Sequence, residues 1–342
     1  MKYFVKTFGC QMNEADSEKI SGVLEKKGYK PVLKPEDADL VVINSCSVRE
    51  SAENRVFGLV NNLSKLKKLP HIILTGCMVG SAREDRRRYS LAELKKKLSQ
   101  VDEFKLIKEL IDLEVFPRRK KKVSALVPIM KGCNNFCSYC VVPYGRGKEE
   151  SIPLNEIICE IERLAKDGYK EIVLLGQNVN SYGNDKTRKS FANLLKKVHK
   201  IEGIEKISFL TSNPWDLSDK IIETMKLPKI DRYLHLPVQS GDDEILKKMN
   251  RSYKVKDYLN LVKKIEKKIP DIKIGTDIIV GFPGETKEQF ENTVKLCKEV
   301  GFDRAFVNRY SPRKGTVAFK LKDDVSPPEK KRRWKILDNL IN

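Results

Sequence analysis

Histidine is nearly missing from this chain of 342 residues, which has only His71, His199 and His235. A metal site would therefore have to draw mainly on other residue types. Long apolar runs are missing too, and no stretch approaches the roughly 18 apolar residues that cross a bilayer. The opening residues, Met1-Lys-Tyr-Phe-Val-Lys-Thr-Phe8, run straight into a strand pattern. They lack the apolar segment and small-residue cleavage site of a secretory signal. These absences predict a protein that stays in the cytoplasm and has no membrane partner. Acid is the scarcer charge, 47 Asp and Glu against 67 Lys and Arg, for a formal net charge of +20. That excess exceeds what solubility requires, and a phosphate backbone is its natural counter-surface. A basic run, Arg118-Arg-Lys-Lys-Lys122, adds to it. The competing reading of the run is a solvated linker in a lysine-rich chain.

What remains is the make-up of a globular protein, 40% hydrophobic and 33% charged, long enough for two domains. Eight cysteines stand out. A cytosolic protein of this size needs no disulfide framework, so clustered cysteines read as ligands or catalysts. Cys133, Cys137 and Cys140 are clustered, while Cys10, Cys46 and Cys77 are spread over the first eighty residues. Cys159 and Cys297 fall in helical patterns and are expected to be small buried apolar residues.

The first domain, residues 1–115, alternates strands with helices. Strands are predicted at 3–8, 39–43 and 71–75, and helices at 14–27 (with Asn13 as cap), 50–66 and 91–112. That alternation implies an open parallel α/β sheet. Cys10, Cys46 and Cys77 each follow one of the three strands. In such a sheet those positions share the carboxyl edge, where ligands bind. Cysteines 36 and 31 positions apart would then meet around one cofactor. A basic linker, 116–124, leads to a second domain, 125–320. Its predicted strands are 126–130, 171–175, 206–210, 232–236, 272–279 and 303–308. Helices are predicted between them at 154–166, 191–199, 217–225, 255–267 and 287–298. Six such units suggest a partial (β/α)6 barrel resembling a TIM barrel, with its chemistry on the loops after the strands. A doubly wound sheet would give the same alternation.

Directly after the first strand of the second domain comes Gly132-Cys133-Asn-Asn-Phe-Cys137-Ser-Tyr-Cys140. Three thiolates at this spacing suit one face of a [4Fe–4S] cube and leave the fourth iron without a protein ligand. Zinc is the alternative, and it would want a fourth ligand nearby. Cys-x3-Cys-x2-Cys, with Tyr139 before the last cysteine, resembles the cluster motif of the radical S-adenosylmethionine superfamily. The wider chain resembles the methylthiotransferases within it. The matching segments are Lys6-Thr-Phe-Gly-Cys-Gln-Met-Asn13, Asn44-Ser-Cys-Ser-Val-Arg49, Thr75-Gly-Cys77 and Gly132 to Gly147. Further on are Leu175-Gly-Gln-Asn-Val179, Leu236-Pro-Val-Gln-Ser-Gly241, Asp277 to Thr286 and Tyr310-Ser-Pro-Arg-Lys-Gly-Thr316. Residues 45–53 and 142–147 are most similar to the branch that acts on isopentenyladenosine beside the anticodon of tRNA. Sister branches act on threonylcarbamoyladenosine or on a ribosomal-protein aspartate.

The resemblance implies two [4Fe–4S] clusters and S-adenosylmethionine as cofactors. Cys133, Cys137 and Cys140 would hold the radical cluster, and Cys10, Cys46 and Cys77 the auxiliary one. It also implies a cofactor site at Tyr139, Gln177, Asn178, Val280, Gly281, Phe282 and Arg309. Substrate contacts are expected from Tyr144, Arg146, Gln239, Ser240 and Arg313. The expected partners are tRNA, a reducing electron donor such as flavodoxin or ferredoxin, and a sulfur source, with the protein a monomer. Relatives of this kind continue into a small RNA-binding β-barrel, and residues 321–342 read as the helix leading there. Ile152, Asn213 and Asn308 depart from the family pattern, but none of them is a cluster ligand. The reading from a different class is a basic RNA-binding scaffold whose clusters do no chemistry.

Overall fold

Residues 40–45, Leu-Val-Val-Ile-Asn-Ser, have almost no polar alternation, the signature of a parallel strand covered on both faces. The computed structural model, which describes residues 1–82, 90–112, 114–119, 123–184, 190–210 and 212–342, buries all six. Residues 120–122 of the basic run lie outside the described residues. By its contacts the chain forms two units. Unit one is Met1–Lys122 with the short segments Gly132–Asn134 and Cys140–Lys148. Unit two is Val123–Lys131, Asn135–Tyr139 and Glu149–Asn342.

Unit one runs β1 (Lys2–Thr7), α1 (Gln11–Lys26), β2 (Lys30–Pro31), β3 (Leu40–Ser45), α2 (Glu50–Leu63), β4 (His71–Gly76), α3 (Cys77–Gly80), α4 (Leu91–Lys97) and β5 (Glu103–Phe104). Its later segment contributes α5 (Val142–Arg146). The sheet is wholly parallel in the order β2-β1-β3-β4-β5. Val41, Ile43, Ile72 and Leu74 pack with Val56, Val60 and Leu63 of α2. Leu40, Val42 and Ile73 pack on the other side with Tyr3 of β1 and Ile20 of α1. The chain leaves β1 toward β2 and returns to β3 on the opposite flank. The crevice of such a doubly wound sheet opens between β1 and β3, beyond their carboxyl ends.

Two local expectations for this unit are corrected. The helix predicted over 91–112 stops at Lys97, because Glu103 and Phe104 pair with Ile73 and Leu74 as an edge strand. Leu94, Leu98 and Val101 do have helical spacing, but sheet pairing at the edge overrides it. Asn13 is not the cap of α1. The helix starts at Gln11 with Cys10 at its N-cap, and the Asn13 amide donates to the carbonyls of Phe8 and Ser45, at 2.7 and 3.0 Å.

Unit two holds β6 (Ser124–Pro128), β7 (Met130–Lys131), β8 (Glu150–Ser151), α6 (Leu154–Lys166), β9 (Glu171–Leu175), α7 (Phe191–His199), β10 (Lys206–Phe209) and α8 (Asp219–Met225). Then come β11 (Tyr233–His235), α9 (Asp243–Lys248), α10 (Val255–Lys268), β12 (Lys273–Val280), α11 (Lys287–Val300), β13 (Arg304–Arg309) and α12 (Pro327–Ile341). Six parallel strands form two triplets, β6-β9-β10 and β11-β12-β13. A parallel bridge between Ile207 and Ile230 links the β10 side to the chain entering β11. This is the α/β partial barrel expected from the pattern.

The barrel helices present apolar stripes inward. On α6 Leu154, Ile157, Ile161 and Leu164 are buried in one core with strand residues Val127, Ile172 and Leu174. Burying four such side chains favours the fold by about 6–12 kcal/mol before chain entropy is subtracted. Cys159, expected to be buried, is exposed, because it falls on the opposite face of that helix. Cys297 on α11 is buried as expected. The pattern gave no sign of α9 or of the two-residue pair β7–β8.

Candidate metal centres

The three scattered cysteines meet the chain at equivalent points. Cys10 caps α1 just after β1, Cys46 directly follows β3, and Cys77 begins α3 directly after β4. All three lie at the carboxyl edge, two of them beside the switch between β1 and β3. The backbone is bent to bring them there. Gly9 (φ +116°) and Gly76 (φ +88°) each precede a cysteine, in conformations that L side chains rarely adopt. A Cβ on Gly9 would stand 2.7 Å from the Cβ of Cys46, and one on Gly76 would strike Asn44 and the backbone of Ser45. No side chain larger than hydrogen fits at either place.

Cys46 and Cys77 are buried, while Cys10 is exposed. Burial pushes both buried thiols up, that of Cys77 to about 11, and the neighbouring cysteines add to the effect. Arg146 acts in the opposite direction on both. Its Nη1 pairs with Asp16 Oδ2 at 2.6 Å and its Nη2 bonds Asn13 Oδ1. Burial disfavours the guanidinium charge, but Asp16 and the sulfurs of Cys77 and Cys10 outweigh it, and the net shift is upward. A permanent cation therefore stands among three thiols that must lose their protons to bind metal. Arg146, expected to contact substrate, stands beside the cysteines of its own unit.

The donor set is all thiol, which suits zinc or an iron–sulfur cluster. Zinc–sulfur bonds of about 2.3 Å would require ligands that converge tightly. Among the described residues no three His, Cys, Asp or Glu side chains converge as a single ion demands. A cubane seats each thiolate on a separate iron, so its ligands stand farther apart. A fixed cation beside the thiols also offsets the cluster's negative charge. The residues present fit that group.

The Cys-x3-Cys-x2-Cys motif crosses the division by contacts, with Cys133 and Cys140 in unit one and Cys137 in unit two. Within unit one the Cys133 N–H donates to Gly147 O at 3.0 Å, and the Val142 N–H to Cys140 Sγ at 3.5 Å. Within unit two the loop 135–138 is held by the end of α9. Ser138 donates its N–H to Met249 O at 2.9 Å and its hydroxyl to Lys248 O at 2.8 Å. The Asn250 amide reaches the carbonyls of Asn135 and Phe136, at 3.2 and 3.1 Å. Arg251, the next residue, donates from Nη1 to Cys137 Sγ at 3.5 Å.

The residues expected around the cofactor fall in several settings. Tyr139 packs in a small apolar cluster with Phe282, Ile245, Met249 and Tyr310, while Val280 is buried in the main core. Gly281 (φ +68°) donates to Glu285 Oε2 at 2.6 Å, and Glu285 is in turn paired with Arg333 at 2.6 Å. The amide of Asn178 is engaged by Asp216 and by the Asn213 N–H, whereas Gln177 Oε1 is buried with no hydrogen-bond partner among the described residues. Gln239 (φ +69°) bridges Asp277 and Ile279 through its backbone. Ser240 Oγ accepts from the Asp242 N–H. Arg313 is buried and accepts from Thr316, Arg309 is exposed, and Tyr144 is half-buried on α5. Arg251, Glu285 and Arg333 were not singled out from the sequence. Glu285 falls within the matching segment Asp277 to Thr286, whereas Arg251 and Arg333 lie outside every matching segment and meet partners far along the chain. His235 also gains a role, its Nε2 lying 2.9 Å from Asp277 Oδ2 across neighbouring strands, with the Phe306 ring 5.7 Å from its own.

Comparison with known proteins fits this geometry. The model of the radical SAM superfamily matches residues 127–297, and one described as Uncharacterized protein family UPF0004 matches residues 2–101. The radical S-adenosylmethionine methyltransferase TsrM from Kitasatospora setae has the same fold. It superposes with a TM-score of 0.63 over 93% of this chain and 74% of its own, at 13% identity. Fold and motif together define a radical S-adenosylmethionine enzyme. The tRNA-2-methylthio-N(6)-dimethylallyladenosine synthase of Clostridium botulinum (strain Langeland) is 46% identical over 366 residues, spanning 100% of this chain and 81% of that relative. The protein of that name from Thermotoga petrophila is 44% identical over 360 residues, spanning 99% and 81%. The chain belongs to the methylthiotransferase family of radical S-adenosylmethionine enzymes. S-adenosylmethionine and [4Fe–4S] clusters are its cofactors.

Proposed function

We propose that this enzyme converts N6-isopentenyladenosine beside the anticodon of tRNA to its 2-methylthio derivative. The observation that carries the reading is the second set of cysteines. Cys10, Cys46 and Cys77 share the carboxyl edge of a sheet in the same chain as a radical-cluster motif. A radical enzyme that only abstracts hydrogen has no need of that second set, whereas one that inserts sulfur does. When bound, the radical cluster and S-adenosylmethionine supply a 5′-deoxyadenosyl radical, and the auxiliary cluster supplies the sulfur that is methylated and transferred.

The chain's own residues bind, orient and exclude water. Residues 1–115 carry the auxiliary ligands and 125–320 the radical ones. Burial of Cys46, Cys77 and Cys133 keeps water from three of the six ligand sulfurs. The Phe282–Tyr139 cluster gives the cofactor site an apolar wall, and Gln177 brings a buried acceptor without a partner among the described residues, suited to an ammonium group. The net charge of +20 supplies attraction to the tRNA backbone, which should weaken steeply as salt rises. Among the described residues no helix is long and apolar enough to cross a membrane. In this reading the enzyme works in the cytoplasm as a monomer, supplied with electrons by a flavodoxin or ferredoxin and with sulfur by a separate donor.

The test is mass spectrometry of nucleosides from tRNA bearing unmodified isopentenyladenosine. The tRNA is incubated anaerobically with the reconstituted protein, S-adenosylmethionine, sulfide and a reductant. A methylthio-isopentenyladenosine peak that vanishes in Cys133→Ala is the expected result. Formation of 5′-deoxyadenosine without that peak would refute the substrate and point to threonylcarbamoyladenosine or a ribosomal-protein side chain. No cleavage of S-adenosylmethionine at all would favour a scaffold that binds RNA.

A further inference from the structure

Arg251 is a cation in the interior that no carboxylate hydrogen-bonds among the described residues, although its charge also acts on the half-buried Asp216. It is 8% exposed. Its polar partners are Cys137 Sγ at 3.5 Å and Asn213 Oδ1 at 3.4 Å from Nη1, Pro237 O at 2.9 Å from Nη2, and the Tyr253 hydroxyl at 3.4 Å from Nε. None of these is a carboxylate. The guanidinium also lies over the Trp215 ring at 4.6 Å and the Tyr253 ring at 5.4 Å. Aromatic faces and neutral acceptors hold an arginine in place, but they do not neutralise it. A buried charge left in that condition is costly unless a counter-charge completes the site. Among its hydrogen-bond partners, the one able to carry negative charge is Cys137 Sγ, as a cluster thiolate.

The local fold delivers Arg251 to that sulfur. α9 ends at Lys248, Asn250 takes a left-handed turn (φ +57°), and the Arg251 N–H closes back on Leu246 O at 2.9 Å. The same turn grips residues 135–138 through Asn250, Lys248 and Met249. The ligand loop and the guanidinium therefore share one rigid support. Stacking on two rings fixes the plane of the side chain, so its donors keep their direction.

We propose that Arg251 is a positioning residue of the radical cluster, holding Cys137 by an N–H···S hydrogen bond and raising the cluster's reduction potential through its fixed positive charge. The proposal rests on the reading of Cys133, Cys137 and Cys140 as cluster ligands. A [4Fe–4S] cluster on three thiolates is anionic, and one-electron reduction makes it more so. A cation and a hydrogen bond at one sulfur therefore stabilise the reduced form more than the oxidised form. Loss of the guanidinium should move the potential downward, making the cluster harder to reduce. Lysine would keep a charge but not the planar fork that serves sulfur and carbonyl together.

The experiment uses the full chain carrying Cys10→Ala, Cys46→Ala and Cys77→Ala, so that one cluster is observed, with Arg251, Arg251→Lys or Arg251→Met. Each protein is reconstituted anaerobically, its iron is counted, and its midpoint potential is read by titration followed with electron paramagnetic resonance. Arg251→Met should keep its iron and lower the reduced-to-oxidised ratio about tenfold at fixed potential, roughly 59 mV for a one-electron couple. Arg251→Lys should fall between the two. An unchanged midpoint with iron retained would overturn the proposal and leave Arg251 as a structural staple. If Arg251→Met fails to fold or to load iron, Arg251→Lys decides, and no downward shift there overturns the proposal. If the parent with three alanines binds no iron, the ligand assignment itself fails, and that result is distinct from either of the others.

Discussion

Replacing Arg146 by methionine isolates what the guanidinium does for the three-cysteine site. The side chain is 11% exposed and its partner Asp16 is 10% exposed, with Nη1 and Oδ2 2.6 Å apart. Methionine keeps much of the volume and removes the charge, which strands a buried carboxylate. Breaking one side of such a pair costs about 3–5 kcal/mol, because the remaining charge has no partner. The lost bond to Asn13 Oδ1 adds a smaller cost of about 1 kcal/mol. Asp16→Asn alone should also destabilise, since it leaves the guanidinium buried. The double variant removes both charges and should recover most of the loss. Urea unfolding of the metal-free proteins at neutral pH, read as a double-mutant cycle, measures the coupling directly. Iron and sulfide counts after reconstitution form the second readout, and Arg146→Met should load its auxiliary cluster more slowly than the parent. A coupling energy below about 1 kcal/mol would refute the reasoning, because exposed pairs already reach that value.

Two further outcomes follow from named positions. Gly9→Ala forces a Cβ against Cys46 at a φ of +116°, at a cost of about 1–3 kcal/mol for the backbone alone. Iron per reconstituted chain should then fall by roughly half while the radical cluster remains, and full iron would contradict the tight approach inferred there. Cys297 is buried on α11, and burial pushes its thiol from 9 up to about 12. Below pH 9 both the folded and unfolded chains keep that proton. Above it the unfolded chain loses the proton first, so stability should fall as pH rises from 9 toward 12, by about 1.4 kcal/mol per pH unit. Cys297→Ala should show a shallower loss over that range in urea titrations, and parallel curves would disprove the shift.

The ligands were legible in the sequence because their signals are local. Cys133, Cys137 and Cys140 sit within eight residues, and Cys10, Cys46 and Cys77 each follow a strand whose apolar run marks it. Parallel pairing followed from alternation of strand and helix. The strand order 2-1-3-4-5 did not, since no local feature says on which flank β2 lies. The helix misread over 91–112 shows the same limit, because its spacing was helical and only the pairing of β5 with β4 made it an edge strand.

The groups that tune the sites are the least legible of all, and for a physical reason. A ligand must be a cysteine near other cysteines. The cation beside it has only to be an arginine that the fold delivers from anywhere. Arg146 meets Asp16 across 130 positions and Arg251 meets Cys137 across 114. In a chain with 67 Lys and Arg, neither stands out until the fold buries it. Burial narrows the field to a set that also holds Arg313, Lys330 and Arg333, and a cysteine sulfur close by then sets these two apart. A surface ion pair such as Lys263–Glu299 contributes about 0–1 kcal/mol. Arg146 has Asp16 and the ligand sulfurs for counter-charge, and Arg251 has Asp216 and the Cys137 sulfur, so each unit carries a fixed cation next to a cysteine ligand.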